Sequence, residues 1–150
     1  MDIEIKDVSI RLLDELYEIE KQSFKLEAFS KQQIAYLLTD YNAVSLAARV
    51  KGELAGFIIG QIEAENNVLV GHIITVDVAP GYRRLGIAQK LLCEVEDIFR
   101  QKGIWECRLE VREDNAAALN LYLKVGYEKV GKLANYYPNA HGLYLKKKLL

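Results

Sequence analysis

The sequence of 150 residues has little of what marks several large classes of protein. Its 20 lysines and arginines nearly balance its 21 aspartates and glutamates, so the formal charge of −1 gives no basic field to attract nucleic acid. It has no apolar run long enough for a transmembrane helix, and no signal-peptide or lipidation motif. We therefore expect a single cytoplasmic domain over residues 1–150, with neither a membrane nor a nucleic acid as its partner.

Cysteine is scarce as well. Only Cys93 and Cys107 occur, and their spacing suits neither a zinc site nor a redox pair. We interpret both as buried structural thiols, and we expect no metal site. Two isolated thiols also favour a reducing compartment, in agreement with a cytoplasmic location.

What the sequence does contain is a strand–turn–helix pattern around residues 76–88. An apolar, β-rich run at 68–78 precedes the turn, and apolar residues recur at helical spacing over 85–99. The turn itself carries two glycines and two cations, Gly81, Gly86, Arg83 and Arg84. A helix N-terminus offers free backbone N–H groups to an anion, so this pattern predicts a phosphate-bearing ligand.

Two familiar nucleotide motifs are absent from this turn. Gly81 and Gly86 have the glycine spacing of a P-loop, but Ile87 and Ala88 stand where ATP chemistry needs lysine and serine or threonine. No Gly-x-Gly-x-x-Gly follows a strand, so a dinucleotide is not supported either. Residues 83–88, Arg-Arg-Leu-Gly-Ile-Ala, instead resemble the coenzyme A signature of the GNAT acetyltransferase superfamily, Arg/Gln-x-x-Gly-x-Gly/Ala.

Periodicity along the rest of the chain predicts a mixed α/β protein. Strand-like runs lie at residues 3–8, 44–50, 54–63, 68–78, 104–111, 127–133 and 142–149. Helical patterns lie at residues 10–22, 30–38, 86–102 and 116–125. Short turns make the second to fourth strands an antiparallel meander, and the long helix makes the fifth strand parallel to its partner. The lysine cluster at residues 146–148 in the last strand indicates a solvated or edge strand.

This order of elements is similar to that of the GNAT superfamily over nearly all of the chain. Residues 109–115, Leu-Glu-Val-Arg-Glu-Asp-Asn, resemble the L-E-V-R-x-x-N segment of protein N-terminal acetyltransferases, and residues 115–122 resemble their N-x-x-A-x-x-x-Y helix. Gly-His-Ile at 71–73 and Tyr-Tyr-Pro at 136–138 are similar to the archaeal and ribosomal-protein branches. The resemblance implies an α/β (α+β) GNAT fold: about four helices, and a mostly antiparallel sheet of about seven strands, splayed between the fourth and fifth.

The same resemblance implies an activity. The chain is expected to be an acetyl-CoA-dependent N-acetyltransferase whose acceptor is the N-terminal α-amine of proteins or peptides, ribosomal or nascent proteins among them. The amine would attack the thioester directly, and the protein would be a monomer or a weak homodimer. Two alternatives stay open: acetylation of a lysine side chain or a polyamine-like small amine, and a non-catalytic coenzyme A-binding module.

By this resemblance, coenzyme A lies where two central strands splay apart. One strand pairs with the pantetheine arm, the turn amides hold the pyrophosphate, and an asparagine holds the pantetheine or the departing sulfur. The residues assigned to the cofactor are Val76, Asp77, Val78, Arg83, Arg84, Leu85, Gly86, Ile87, Ala88, Gln89, Asn115 and Tyr122.

Acetyl transfer needs a neutral amine, and a peptide α-amine with a pKa of about 7.7–8.0 loses its proton far more easily than lysine at about 10.4. One modest general base therefore suffices. By resemblance Glu110 is that base, directly or through a water, Tyr122 hydrogen-bonds or protonates the leaving thiolate, and His72 relays a proton beside Glu110. The alternatives are a solvated strand carboxylate, a core aromatic and a structural histidine, and a surface ion pair accounts equally for Arg112.

The acceptor site is implied by two loops, at residues 24–29 and 135–141, which wall a trench in protein N-terminal acetyltransferases. The residues assigned to the substrate are Phe24, Glu27, Phe29, Tyr136 and Tyr137. Leu26, Ala28 and Phe29 stand where the archaeal branch prefers proline, asparagine and tyrosine, so the preferred N-terminal residue stays open.

Overall fold

The structure, a computed structural model, describes residues 2–24 and 26–150; Lys25, inside the predicted 24–29 loop, lies outside the described residues. Within the described residues the strands are β1 (Ile3–Asp7), β2 (Ala43–Val50), β3 (Glu53–Glu65), β4 (Val68–Val78), β5 (Glu106–Arg112), β6 (Glu128–Tyr137) and β7 (Ala140–Lys148). The helices are α1 (Leu13–Ser23), α2 (Lys31–Thr39), α3 (Ile87–Gln101) and α4 (Ala116–Lys124), with a 3-10 turn at Ile10–Leu12. No helix in these two ranges is both long and apolar enough to cross a bilayer.

All seven strands form one mixed sheet in the order β1-β2-β3-β4-β5-β7-β6. Neighbouring strands are antiparallel except β4 and β5, which are parallel. That parallel pair is short, because only Gly71 with Cys107 and His72 with Arg108 are in register. The predicted GNAT-like α/β fold, with its splay between the fourth and fifth strands, is therefore confirmed.

Helices cover both faces of the sheet, and each face has its own core. Under α3 and α4 the core includes Leu92, Val95 and Phe99, which repeat at helical spacing along one side of α3. Under α1 and α2 it includes Leu16 and Ile34. Each fully buried leucine or phenylalanine contributes roughly 1.5–3 kcal/mol relative to an exposed one, so these two layers hold the central strands in place.

A bulge in β4 decides which side chains share a face. The pairing with β3 skips Ile74, so that Thr75 and Ile73 lie opposite consecutive residues. Side chains alternate along a regular strand, and one extra residue reverses that alternation. As a result His72 and Thr75, three positions apart, both point toward the α1 and α2 side of the sheet.

The end of the chain differs from the prediction in two ways. Residues 135–141 are mostly strand rather than loop, because β6 continues through Tyr137 and only Pro138 and Asn139 connect it to β7. The final strand is also not at the edge, since β7 lies between β5 and β6. One lysine of the cluster also has a partner in the interior, because Lys147 Nζ donates to the buried Glu96 Oε1 on α3 at 2.8 Å.

Candidate active site

The divergence of β4 from β5 leaves a backbone edge open on β4. Beyond His72, β4 continues to Val78 without a β5 partner in the described part of the chain. The side chains of Val76 and Val78 pack against the core under α3, on one face of the sheet. Their backbone groups lie in the plane of the sheet and therefore border the gap. Arg83 Nε donates a hydrogen bond to the Val78 carbonyl at 3.1 Å, which ties the following turn to this edge.

The turn between β4 and α3 leads to a helix N-terminus that no side chain caps. Gly81, Arg84 and Gly86 have φ angles of 91°, 64° and 81°, which curl the chain tightly. Gly86 begins α3 without a side-chain hydrogen bond, whereas Ser30 and Asn115 cap α2 and α4. The first N–H groups of α3 are therefore free to bind an anion.

This turn fits the pyrophosphate of coenzyme A. A Cβ atom added at Gly81 or Gly86 would meet nothing within 4 Å, so space is open in front of the turn. The amides of Ile87, Ala88 and Gln89 border that space at the positive end of the α3 dipole. The Ile87 side chain is buried in the core and Leu85 is exposed, so these residues would contribute backbone rather than side-chain contacts.

Two predicted cofactor residues have side chains that are engaged elsewhere. Asn115 Oδ1 accepts the Ala118 N–H at 3.2 Å and so caps α4. Asp77 Oδ1 is 2.6 Å from the Thr75 hydroxyl oxygen, beside α1. At the open edge Asp77 therefore offers its backbone.

His72 lies between two carboxylates, and one of them is the predicted base. Its Nε2 is 2.7 Å from Glu110 Oε1 and its Nδ1 is 2.8 Å from Glu63 Oε2. Each of these two contacts needs a proton between the nitrogen and the oxygen. Either both imidazole nitrogens carry a proton, or one nitrogen and one of the two carboxyl groups do. Burial lowers the pKa of His72, but the hydrogen bonds and charges of Glu110 and Glu63 outweigh it, and the pKa is raised.

Glu63 and Arg108 extend this hydrogen-bonded cluster, and sequence reasoning missed both. Arg108 Nη2 donates to Glu63 Oε1 at 2.5 Å and forms a second ion pair with Glu65. Burial would raise the pKa of Glu63, but His72 and Arg108 outweigh it, so the pKa is lowered and the group stays a carboxylate. The only signal in the sequence was a pair of glutamates at the end of a strand, which is also the pattern of a solvated edge.

Tyr122 is buried on α4, with 7% of its surface exposed. Its ring meets Tyr127 edge-to-face at a centroid distance of 5.9 Å. Burial raises the pKa of Tyr122 above its ordinary value. The phenol therefore keeps its proton near neutral pH and can donate a hydrogen bond.

A cavity of about 540 Å³ opens beside Glu110 and His72. It is lined by Phe29, Ser30, Gln32, Gln33, Tyr36, Leu37, His72, Ile74, Glu110 and Tyr136. Phe29 and Tyr136 are among the predicted substrate residues. Sequence reasoning did not predict that α2 lines this cavity. The amphipathic pattern of a helix shows which of its sides is buried, but not which strand lies beside its exposed side.

The other predicted substrate residues lie around this cavity rather than in its lining. The rings of Tyr136 and Tyr137 meet edge-to-face at 4.8 Å. Arg112 lies over the Tyr137 ring at 5.9 Å, and its Nη1 is 3.4 Å from Glu27 Oε2, so Glu27 is held in an ion pair. Arg112 thereby joins the segment before α2 to the β6–β7 connection. Phe24 ends α1 and does not line the cavity.

The fold and the site are those expected of an acyl-transferring enzyme, with the uncapped start of α3 as the predicted site for the phosphates of its carrier. A match to the Acetyltransferase (GNAT) family covers residues 12–127, and the chain belongs to that family. It is accordingly an acetyl-CoA-dependent N-acetyltransferase.

Relatives of the chain share this chemistry but differ in the acceptor. It is 33% identical over 120 residues to the N-alpha-acetyltransferase of Sulfurisphaera tokodaii, covering 72% of this chain and 70% of that protein. It is 29% identical over 148 residues to the Spermidine N(1)-acetyltransferase of Thermoplasma acidophilum, covering 85% and 89%. One chain of the NatC complex bound to Gag peptide and CoA superposes with a TM-score of 0.90, at 26% identity and full coverage of both chains.

Proposed function

We propose that the protein transfers the acetyl group of acetyl-CoA to the N-terminal α-amine of proteins or peptides. The lining of the cavity carries this proposal. Its walls are apolar, aromatic, amide and hydroxyl side chains with the imidazole of His72, and Glu110 is the one acidic residue among the described residues that line it. A polyamine holds several cations along its length and would need several carboxylates, so this lining favours an acceptor with a single amine.

The strength of the base also favours an α-amine over a lysine side chain. The candidate base is a carboxylate, and carboxylates as a class are modest proton acceptors, with an ordinary pKa of about 4.3 for glutamate. At pH 7, removing the proton costs about 1 kcal/mol for an α-amine and about 5 kcal/mol for lysine. A single carboxylate in this setting suits the first acceptor better than the second.

Each side chain then has a role. Acetyl-CoA supplies the acetyl group as an activated thioester. Glu110 takes the amine proton directly or through a water, and His72 holds the Glu110 carboxylate in position. Tyr122, which keeps its own proton, donates to the departing sulfur. The turn amides with Arg83 and Arg84 hold the pyrophosphate, and Asn115 stays a prediction at the pantetheine.

The walls of the cavity would receive the first residues of the peptide. Phe29 and Tyr136 flank the entrance to Glu110, and the nearby cations Arg108 and Arg112 are held in ion pairs. An acidic first side chain would meet the Glu110 charge without compensation, so we expect neutral first residues to be preferred. Ribosomal or nascent proteins are candidate substrates, the cytoplasm suits the two free thiols, and a monomer or weak homodimer stays our prediction.

A peptide panel tests the proposal. Peptides that differ only in their first residue, each with one internal lysine, are incubated with acetyl-CoA, and the modified amine is located by tandem mass spectrometry. We expect α-amine acetylation, no reaction of a matched peptide with a blocked N-terminus, and at least tenfold lower activity on an acidic first residue. Faster acetylation of the lysine or of spermidine would contradict the proposal.

A further inference from the structure

A second acid cluster lies on the α1 side of β4, and the reaction described above does not use it. It consists of Glu20 on α1 with Thr75 and Asp77 on β4, and these side chains are 1%, 6% and 1% exposed. Two carboxyl groups buried together are costly unless hydrogen bonds, a cation or a proton balances them. In this cluster a threonine hydroxyl stands between them.

The hydrogen atoms of the cluster can be counted. Thr75 Oγ1 is 3.0 Å from Glu20 Oε1 and 2.6 Å from Asp77 Oδ1. A hydroxyl has a single proton and can donate to only one of these oxygens. The other short contact needs a proton of its own, which an ionised carboxylate lacks. The two distances therefore require that at least one of the two carboxyl groups carries a proton.

Asp77 is the carboxyl group that suits the acid form. Its Oδ2 is buried and has no hydrogen-bond donor within residues 2–24 and 26–150, whereas Glu20 Oε2 accepts the Phe29 N–H at 3.0 Å. Donors stabilise a carboxylate and burial without donors stabilises an acid, so the charge belongs on Glu20. Burial and the neighbouring Glu20 raise the pKa of Asp77 well above its ordinary value.

We propose that Asp77, Thr75 and Glu20 hold one proton in common and act as positioning residues for acetyl transfer. Asp77 donates to Thr75, Thr75 donates to Glu20, and Glu20 accepts the N–H of Phe29. This row of hydrogen bonds fixes Phe29, a wall of the acceptor cavity, to the strand whose open edge would receive the acetyl carrier. Its effect on acetylation rests on the proposed function, but the shared proton does not.

A pH dependence follows from the surroundings of Asp77. The groups that face it are Glu20 from α1, Arg83 from the turn before α3, and Tyr122 from α4. Glu20 opposes ionisation of Asp77, Arg83 favours it, and Tyr122 is neutral. As the pH rises and Asp77 loses the proton, two buried negative charges face each other and the hold on Phe29 weakens.

Nuclear magnetic resonance of the wild-type protein tests the shared proton without any substrate. The side-chain carboxyl groups of aspartate are labelled with ¹³C and followed as the pH is raised. We expect one aspartate signal to remain in the protonated position at neutral pH and to vanish in Asp77→Asn. Titration of every aspartate in the ordinary acidic range would overturn the proposal, whether or not the protein acetylates peptides.

Kinetics test the positioning role. Thr75→Val removes the bridging hydroxyl with little change in shape, and we expect KM for the acceptor peptide to rise roughly tenfold, with a smaller change in kcat. Asp77→Asn keeps a neutral donor at every pH, so it should lose the rise in KM that the wild type shows between pH 7 and alkaline pH. The same alkaline rise in Asp77→Asn and wild type would overturn the positioning role.

Discussion

Two acid clusters lie on one face of β4, and they balance their negative charge differently. In the first, Glu63 and Glu110 flank His72, and a guanidinium group adds a further cation. In the second, Glu20 and Asp77 flank a threonine hydroxyl. The first cluster borders the open cavity and can keep its carboxylates ionised, whereas the second is enclosed and requires a proton.

The difference matches what each cluster would do. A general base must be an ionised carboxylate at working pH. A group that only holds a loop has no need of charge. One strand thus contributes His72 to the reactive cluster and Thr75 to the structural one, three residues apart across the bulge at Ile74.

Removing the reactive carboxylate should give the largest effect. Glu110→Gln keeps the shape of the side chain but cannot accept the amine proton, so we expect kcat/KM to fall by roughly 10²–10⁴ at neutral pH. Raising the pH should recover much of the loss, because more of the amine is already neutral. A pH–rate profile on one peptide measures this, and the thermal shift caused by acetyl-CoA checks that the cofactor still binds. Full activity of Glu110→Gln would remove it as the base.

Tyr122→Phe tests the leaving sulfur of the reaction, as Glu110→Gln tests the attacking amine. The variant cannot donate to the departing sulfur, and we expect kcat to fall by about 10², at the low end of the range for acid–base catalysis. High pH should not rescue it, since the missing proton becomes no easier to supply. Rescue of Tyr122→Phe to the same extent as Glu110→Gln would show that the two residues do not have separate roles.

Asp77→Asn should make the protein more stable near neutral pH. The pKa of Asp77 is raised on folding, so above its ordinary value of 3.8 the unfolded state gains stability by ionising while the folded state does not. The amide cannot ionise, and the gain should be on the order of 1 kcal/mol, the scale of one pKa unit. Urea unfolding at several pH values should show this gain in the free energy of unfolding decreasing toward zero below pH 3.8. Equal stability of the two proteins at pH 7 would argue against a protonated Asp77.

Glu63→Gln should have the opposite sign, a loss of stability near neutral pH. The pKa of Glu63 is lowered on folding. Its contribution to the free energy of unfolding is therefore present above pH 4.5 and is lost as the pH falls through the lowered pKa. The pKa of His72 is raised, so its contribution is full below 6.5 and is lost as the pH rises through the raised value. We expect a loss of about 1 kcal/mol between these limits. Unfolding curves at acid, neutral and alkaline pH would contradict this if the loss were greatest at either extreme.

The sequence determined the cofactor side of the molecule better than the acceptor side. The turn around Gly86 could be predicted because its signals are local: glycines, adjacent cations and the start of a helical period. Ser30 and Asn115, which cap α2 and α4, are also residue types that commonly precede helices, so these ends carry local signals too. The resemblance of residues 109–122 then supplied candidates that chain periodicity alone leaves open.

The acceptor side depends on relations between distant residues. Glu63 reaches His72 only because of the β3–β4 register, and Thr75 faces Glu20 only because Ile74 bulges. Neither the register nor the bulge leaves a local pattern in the sequence. The alternation of a strand is the same whichever strand pairs with it and in whichever register. The extended β6–β7 hairpin was missed for a related reason: proline and asparagine signalled a turn, but not that the flanking aromatic residues pair almost up to it.

The most direct test of the central claim compares two amines at two values of pH. Two peptides of identical sequence are used, one with a free N-terminus and a blocked lysine, the other with the blocking reversed. We expect kcat/KM for the α-amine to exceed that for lysine by roughly 10² at pH 7, the difference in neutral amine, and the ratio to narrow at pH 9. Equal or faster acetylation of the lysine at pH 7 would contradict the assignment of an N-terminal α-amine as the acceptor.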